Sequence, residues 1–93
     1  MNNKEKTSKQ LERYFKGVSY FRRIAILRLI AQNDGITVDE IAKELSGNFK
    51  TISTHTHKLV QAGLVNKAQK GLQVTHSLSP YGEKFVNFMK EFN

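Results

Sequence analysis

Residues 51 to 65 read TISTHTHKLVQAGLV, with two histidines one residue apart and no acidic side chain. His55 and His57 could form a metal site or a catalytic pair, or belong to a surface that reads DNA. Helical geometry separates these readings. On a helix each residue turns the side chain by about 100°, so the two imidazoles stand about 200° apart and cannot share one metal. A His-x-His chelate needs a strand, and the helical spacing for zinc is i, i+4. A catalytic base would need an acid to orient it, and this segment has none. With Ile52 set inward, Thr56, Leu59 and Gly63 point the same way. Thr51, Thr54, Lys58 and Gln61 point out, Lys50 and His57 lie on one flank, and His55 sits near the buried edge.

The flanking residues supply the ends of this helix. Ser46-Gly47-Asn48 breaks whatever precedes it, Asn48 can cap it, and Gly63 stops it, which places the helix at about 49 to 62. Upstream, Thr37-Val38-Asp39-Glu40 fits a capping box that opens a short helix carrying Ile41, Ala42 and Leu45 on one face. Tyr20 to Gln32 is a helix apolar almost all round, the pattern of a buried helix. Its Arg22, Arg23 and Arg28 must reach solvent or a partner. Lys9 to Lys16 reads as a short helix behind a flexible tail over residues 1–8, with residues 9–93 as a single domain.

Downstream the period changes. Leu72, Val74 and Leu78 alternate with Gln73, Thr75 and Ser77 at strand spacing. Leu64 to Ala68 can pair with that segment across Gln69-Lys70-Gly71, making a hairpin over about 64 to 78. Ser79 caps a last helix with Pro80 in its first turn, and Tyr81, Phe85, Phe88, Met89 and Phe92 mark its apolar face. The order is mainly α with a small β-hairpin: a helix-turn-helix with a wing, flanked by N- and C-terminal helices.

Composition narrows the function classes. Ninety-three residues make one domain, and with 39% hydrophobic and 25% charged residues the chain can bury a modest core. No apolar run approaches the roughly 20 residues of a membrane span. The polar start MNNKEKTSKQ has no secretory core, so the expected compartment is cytoplasmic. Zero cysteine excludes disulfides and thiolate ligands. The net charge is +7, and its distribution says more than its size. No Asp or Glu lies between Glu44 and Glu83, while Lys50, Lys58, Lys67, Lys70 and all three histidines do. A one-signed segment points to an anionic partner.

IAKELSGNFKTISTHTHKLVQAGLV resembles the helix-turn-helix of ArsR-type winged-helix repressors and, more loosely, of MarR-type ones. Ile41, Ala42 and Leu45 match the first helix, Ile52-Ser53 and His55 the start of the recognition helix, and Ala62-Gly63-Leu64-Val65 its end. Lys70-Gly71 sits at the expected wing tip, and LSPYGEKF resembles the strand-to-helix junction of MarR-like proteins. Ser46 stands where glycine is usual, Thr56 where leucine is usual, and Leu72 where arginine is common. ArsR-like metal sensors use cysteines in the first helix of the motif or histidines and acids in the last helix. This chain has neither set, so no metal or other cofactor is expected.

These readings imply a sequence-specific regulator of double-stranded DNA, a homodimeric repressor with no membrane partner. Asn48, Lys50, Thr51, Ser53, Thr54, His55 and Lys58 of the recognition helix would face the major groove, and Lys67, Lys70 and Gln73 of the wing the adjacent backbone. Ile24, Leu27, Ile30, Ile41, Leu45, Ile52, Leu59 and Leu78 suffice for a core. Tyr14, Phe15, Phe85, Phe88, Met89 and Phe92 are then surplus apolar surface for a dimer interface. The alternative is a winged helix used for protein–protein assembly, which would place apolar or acidic residues on the recognition helix. An enzyme acting on nucleic acid would need a carboxylate cluster, a nucleophile–base pair or a phosphate-cradling glycine loop, and none is present.

Overall fold

The helix over TISTHTH forms where the sequence places it. In a computed structural model that describes residues 5–92, α4 runs Phe49–Gln61. Asn48 caps it, its Oδ1 accepting from the Thr51 N–H at 3.2 Å. Ile52, Thr56 and Leu59 are buried. Threonine is accommodated at the inward position because its Oγ1 donates to the Ile52 carbonyl one turn back at 2.8 Å, which satisfies the hydroxyl inside the core. Gly63, at φ +83°, ends the helix. Its N–H donates to the Val60 carbonyl and that of Leu64 to the Leu59 carbonyl, both at 3.0 Å, the paired bonds of a Schellman turn.

The first helix of the motif, α3, spans Val38–Glu44 with both bonds of the Thr37–Glu40 capping box in place. It packs against α4 across a turn in which the expected glycine has moved by one residue. Ser46 takes the left-handed conformation, φ +51°. Gly47 is needed for a different reason: a Cβ there would lie 2.8 Å from Ile52 Cγ1.

Helix α2, Phe21–Gln32, packs against α4, the hairpin and the last helix. It is not buried all round. Ile26, Leu27 and Ile30 are enclosed, Ile24, Ala25 and Leu29 are half-buried, and Phe21 is 78% exposed. A domain this small has too few elements to cover every side of one helix. Leu45 and Leu78, expected in the core, sit at its edge, Ile24 is only half-buried, and Ile36, Leu64, Val65 and Val86 fill the core instead.

The hairpin pairs β1 (Val65–Lys70) with β2 (Gln73–Leu78), Val65 opposite Leu78 and Lys70 opposite Gln73. Its turn is therefore Gly71-Leu72, two residues long, with Gly71 at φ +62°, rather than Gln69-Lys70-Gly71. Leu72 consequently leaves the apolar face and stands fully exposed at the tip. His76 occupies that face and is buried. Its Nδ1–H donates to the Ile36 carbonyl at 3.1 Å, and its backbone N–H donates to the same oxygen at 3.0 Å. The resulting isolated bridge ties Ile36 to the edge of β2.

Helix α1 is Ser8–Gly17, with Thr7 and Gln10 forming a capping box. Thr7 and Ser8 thus belong to the helix start rather than to a flexible tail, because the pair satisfies amides that would otherwise fray. Residues 1–4 of that expected tail lie outside the described residues. Lys6 lies over the rings of Tyr14 and Tyr81, 5.4 and 4.9 Å from their centroids. The last helix, α5, spans Pro80–Met89 with Ser79 as cap. It stops short of Phe92, whose ring meets Phe88 edge-on at 5.1 Å.

Candidate nucleic-acid interface

Burying Ile52, Thr56 and Leu59 turns the opposite side of α4 outward. Lys50, Thr51, Thr54, Lys58 and Gln61 are all exposed there. Thr54 Oγ1 donates to the Lys50 carbonyl at 3.0 Å. Its proton is thereby used, leaving lone pairs and a methyl group to present. That suits a base amino donor or a thymine methyl. Asn48 spends its Oδ1 on the cap, which leaves its amino group to donate outward.

The two histidines part company. His57 is exposed and lines a cleft of about 430 Å³ between α4, the wing and the start of α3, with Ser53, Lys67, Gln73, Asp39 and the exposed ring of Phe49. His55 turns to the other side, against α2. Arg23 Nε donates to His55 Nδ1 at 3.1 Å, and the Tyr20 ring lies 5.9 Å from the imidazole. Burial lowers the His55 pKa below the ordinary histidine range, and the charges of Arg23 and Arg22 lower it further. His55 is thus neutral near pH 7, with its proton on Nε2, and is committed to a neighbouring helix rather than to the outward face.

Lys67, Lys70 and Gln73 are exposed on the hairpin, with Lys70 and Gln73 flanking the turn. Of the three arginines of α2, Arg28 reaches solvent, whereas Arg22 and Arg23 take protein partners. Arg22 Nη1 donates to the Leu45 carbonyl at 3.2 Å, tying α2 to the end of α3. Adjacent arginines in the first turn of a largely apolar helix are the signal in the sequence. Of the surplus apolar residues, Tyr14 is buried within the chain, Phe85 and Met89 are half-buried, and Phe15, Phe88 and Phe92 are exposed. Tyr14 therefore belongs to the core, its ring tilted against that of Tyr81 with centroids 4.8 Å apart.

The MarR family model matches residues 22–70, which runs from α2 to the end of β1. An uncharacterised HTH-type transcriptional regulator of Methanocaldococcus jannaschii is 34% identical over 67 residues, 66% of this chain and 75% of that one. The chain belongs to the MarR family. This MarR-family protein is also similar in fold to HlyU of Vibrio cholerae, with a TM-score of 0.82 at 25% identity over 94% of this chain and 95% of that one. A homodimeric winged helix-turn-helix DNA-binding domain of Mycobacterium bovis, a possible ArsR-family regulator, gives 0.81 at 23% identity over 97% and 87%. The MarR-family fold is therefore a winged helix-turn-helix, α3 and α4 forming the motif and β1–β2 the wing.

Proposed function

We propose that the chain is a sequence-specific double-stranded-DNA-binding regulator, acting as a homodimeric repressor in the cytoplasm. Helix α4 enters the major groove and the wing follows the adjacent backbone. The outward face of α4 carries this reading. Its lysines, threonines and glutamine are exposed together, in a segment free of acids from Glu44 to Glu83. Asn48, Lys50 and Lys58 contact phosphates, Thr51 and Thr54 reach base edges, and Ser53, Lys67, Lys70 and Gln73 line the side toward the wing. The homodimeric M. bovis neighbour and the exposed Phe15, Phe88 and Phe92 support assembly through α1 and α5.

Binding to duplex DNA should weaken steeply with salt, because each phosphate contact releases condensed counterions. Lys50→Glu or Lys58→Glu should lower affinity at least tenfold, about 1.4 kcal/mol, and reduce the salt slope by about one unit. Titrating a labelled duplex at several salt concentrations measures both. Charge-reversed variants that bind as well as the parent would refute the docking face. No binding at any salt would leave the fold as a protein-assembly module.

A further inference from the structure

Helix α4 has a second polar neighbourhood, on the side away from the wing. The corner between α1 and α2 forms an open groove beside the C-terminal half of α4, lined by Arg13, Lys16, Ser19, Arg23, Lys58 and Gln61 among others. None of its lining residues is acidic. The nearest acid on α1, Glu12, is shared between Lys9 at 3.2 Å and Lys16 at 3.4 Å in solvent. Such exposed pairs hold weakly and exchange readily for another anion.

Arg23 is the fixed point of this groove. Its Nε donates to His55 Nδ1 at 3.1 Å and its Nη1 to the Lys16 carbonyl at 3.3 Å, and its guanidinium lies over the Tyr20 ring, 4.6 Å from the centroid. Nη2 has no protein acceptor among the described residues. A guanidinium already held in place loses little freedom on meeting an oxyanion, and its planar fork matches phosphate geometry. Arg13 lies over the Tyr14 ring at 5.0 Å, which likewise limits its motion.

We infer that this groove seats the phosphate backbone of the same duplex that α4 reads, on the flank opposite the wing. The inference rests on the DNA-binding reading above and extends its footprint to α1 and the start of α2. Lys58 and Gln61 connect the two regions, belonging both to the outward face of α4 and to the rim of the groove. A duplex lying against α4 thus has its next backbone segment beside Lys16 and Arg23. The wing would grip one flank and the α1–α2 corner the other.

The test uses the full chain, a long random-sequence duplex and a duplex trimmed on the flanks, titrated over a range of KCl by fluorescence anisotropy. Lys16→Gln and Arg23→Gln should each reduce the salt slope on the long duplex by about one unit. Arg28→Gln, which removes an exposed cation of α2 outside the groove, should not. On the trimmed duplex the parent and the two groove variants should converge. Lys16 is exposed, and circular dichroism checks that both variants keep the fold. If the parent binds with a steep slope and both groove variants keep that slope, this inference is overturned and the recognition-helix reading stands. If the parent binds no duplex at all, both fall together.

Discussion

Ser46 and Gly47 show how one residue of displacement alters the energetics of a turn. Ser46 adopts φ +51°, a conformation that costs a side-chain-bearing residue about 1–2 kcal/mol. Glycine would remove that cost but lose about 0.5–1 kcal/mol of backbone entropy. Ser46→Gly should therefore stabilise the chain by up to about 1 kcal/mol, a rise of roughly 4–8 °C in Tm for a domain of this size. A thermal melt that does not rise would show that the serine sits there without strain. At the same scale, His55 makes stability depend on pH. Its folded pKa is lowered by burial and by Arg23 and Arg22, so below about 6.5 the unfolded chain binds the proton more readily. Its contribution is fully present above that value and is lost as pH falls through the lowered one. The parent should lose more denaturant resistance than His55→Gln between about pH 7 and about pH 5. Superimposable curves would mean that His55 takes up its proton alike in the folded and the unfolded chain.

Elements place these residues where they can act. Helix α4 is fixed along its inner side by Ile52, Thr56 and Leu59, and at its ends by the Asn48 cap and the Gly63 turn. Thr51 and Thr54 thus project from a rigid helix, as base readout requires, and not from a loop. Alanine at either should relax sequence preference more than it weakens non-specific binding, because phosphate contacts position whereas base contacts specify. Selection of binding sites from a random library would show a degenerate position in the consensus of each variant. An unchanged consensus would remove these threonines from the reading surface. The wing has its own constraint: a two-residue turn at Gly71-Leu72 fixes the register, so Lys67 opposes His76 and Lys70 opposes Gln73.

At the scale of the molecule, one recognition helix reads too few base pairs to pick a site out of a genome. Two helices related by a two-fold axis, about 34 Å apart, would read a palindrome with half-sites one turn apart. The groove between α1 and α5 holds Leu11, Phe15, Tyr81, Phe85 and Phe88, with the Phe15 and Phe85 rings 5.2 Å apart and Phe92 next to Phe88. Burying each exposed phenylalanine contributes roughly 1.5–3 kcal/mol, enough in combination to hold two copies together. Phe88→Glu with Phe92→Glu should give a folded monomer that binds an operator much more weakly. Sedimentation at micromolar concentration measures this directly, and a parent sedimenting at 10.6 kDa would limit these rings to covering their own protomer.

Local sequence determined the elements and several of their ends. Asn48, the Thr37–Glu40 box, Gly63 and Ser79-Pro80 each act within a few residues along the chain, and the structure places all four where their spacing puts them. The inward face of α4 was legible for the same reason, since helical period alone sorts Ile52, Thr56 and Leu59 from Thr51, Thr54 and Lys58. Tertiary structure decided what depends on the distance between elements. It put His76 under the wing against Ile36, left Phe21 of an apolar α2 open to solvent, drew Tyr14 into the core and swung His55 onto Arg23, 32 residues away in sequence. A side chain's partner across such a separation is set by how helices pack, and no period or capping residue within one helix carries that information.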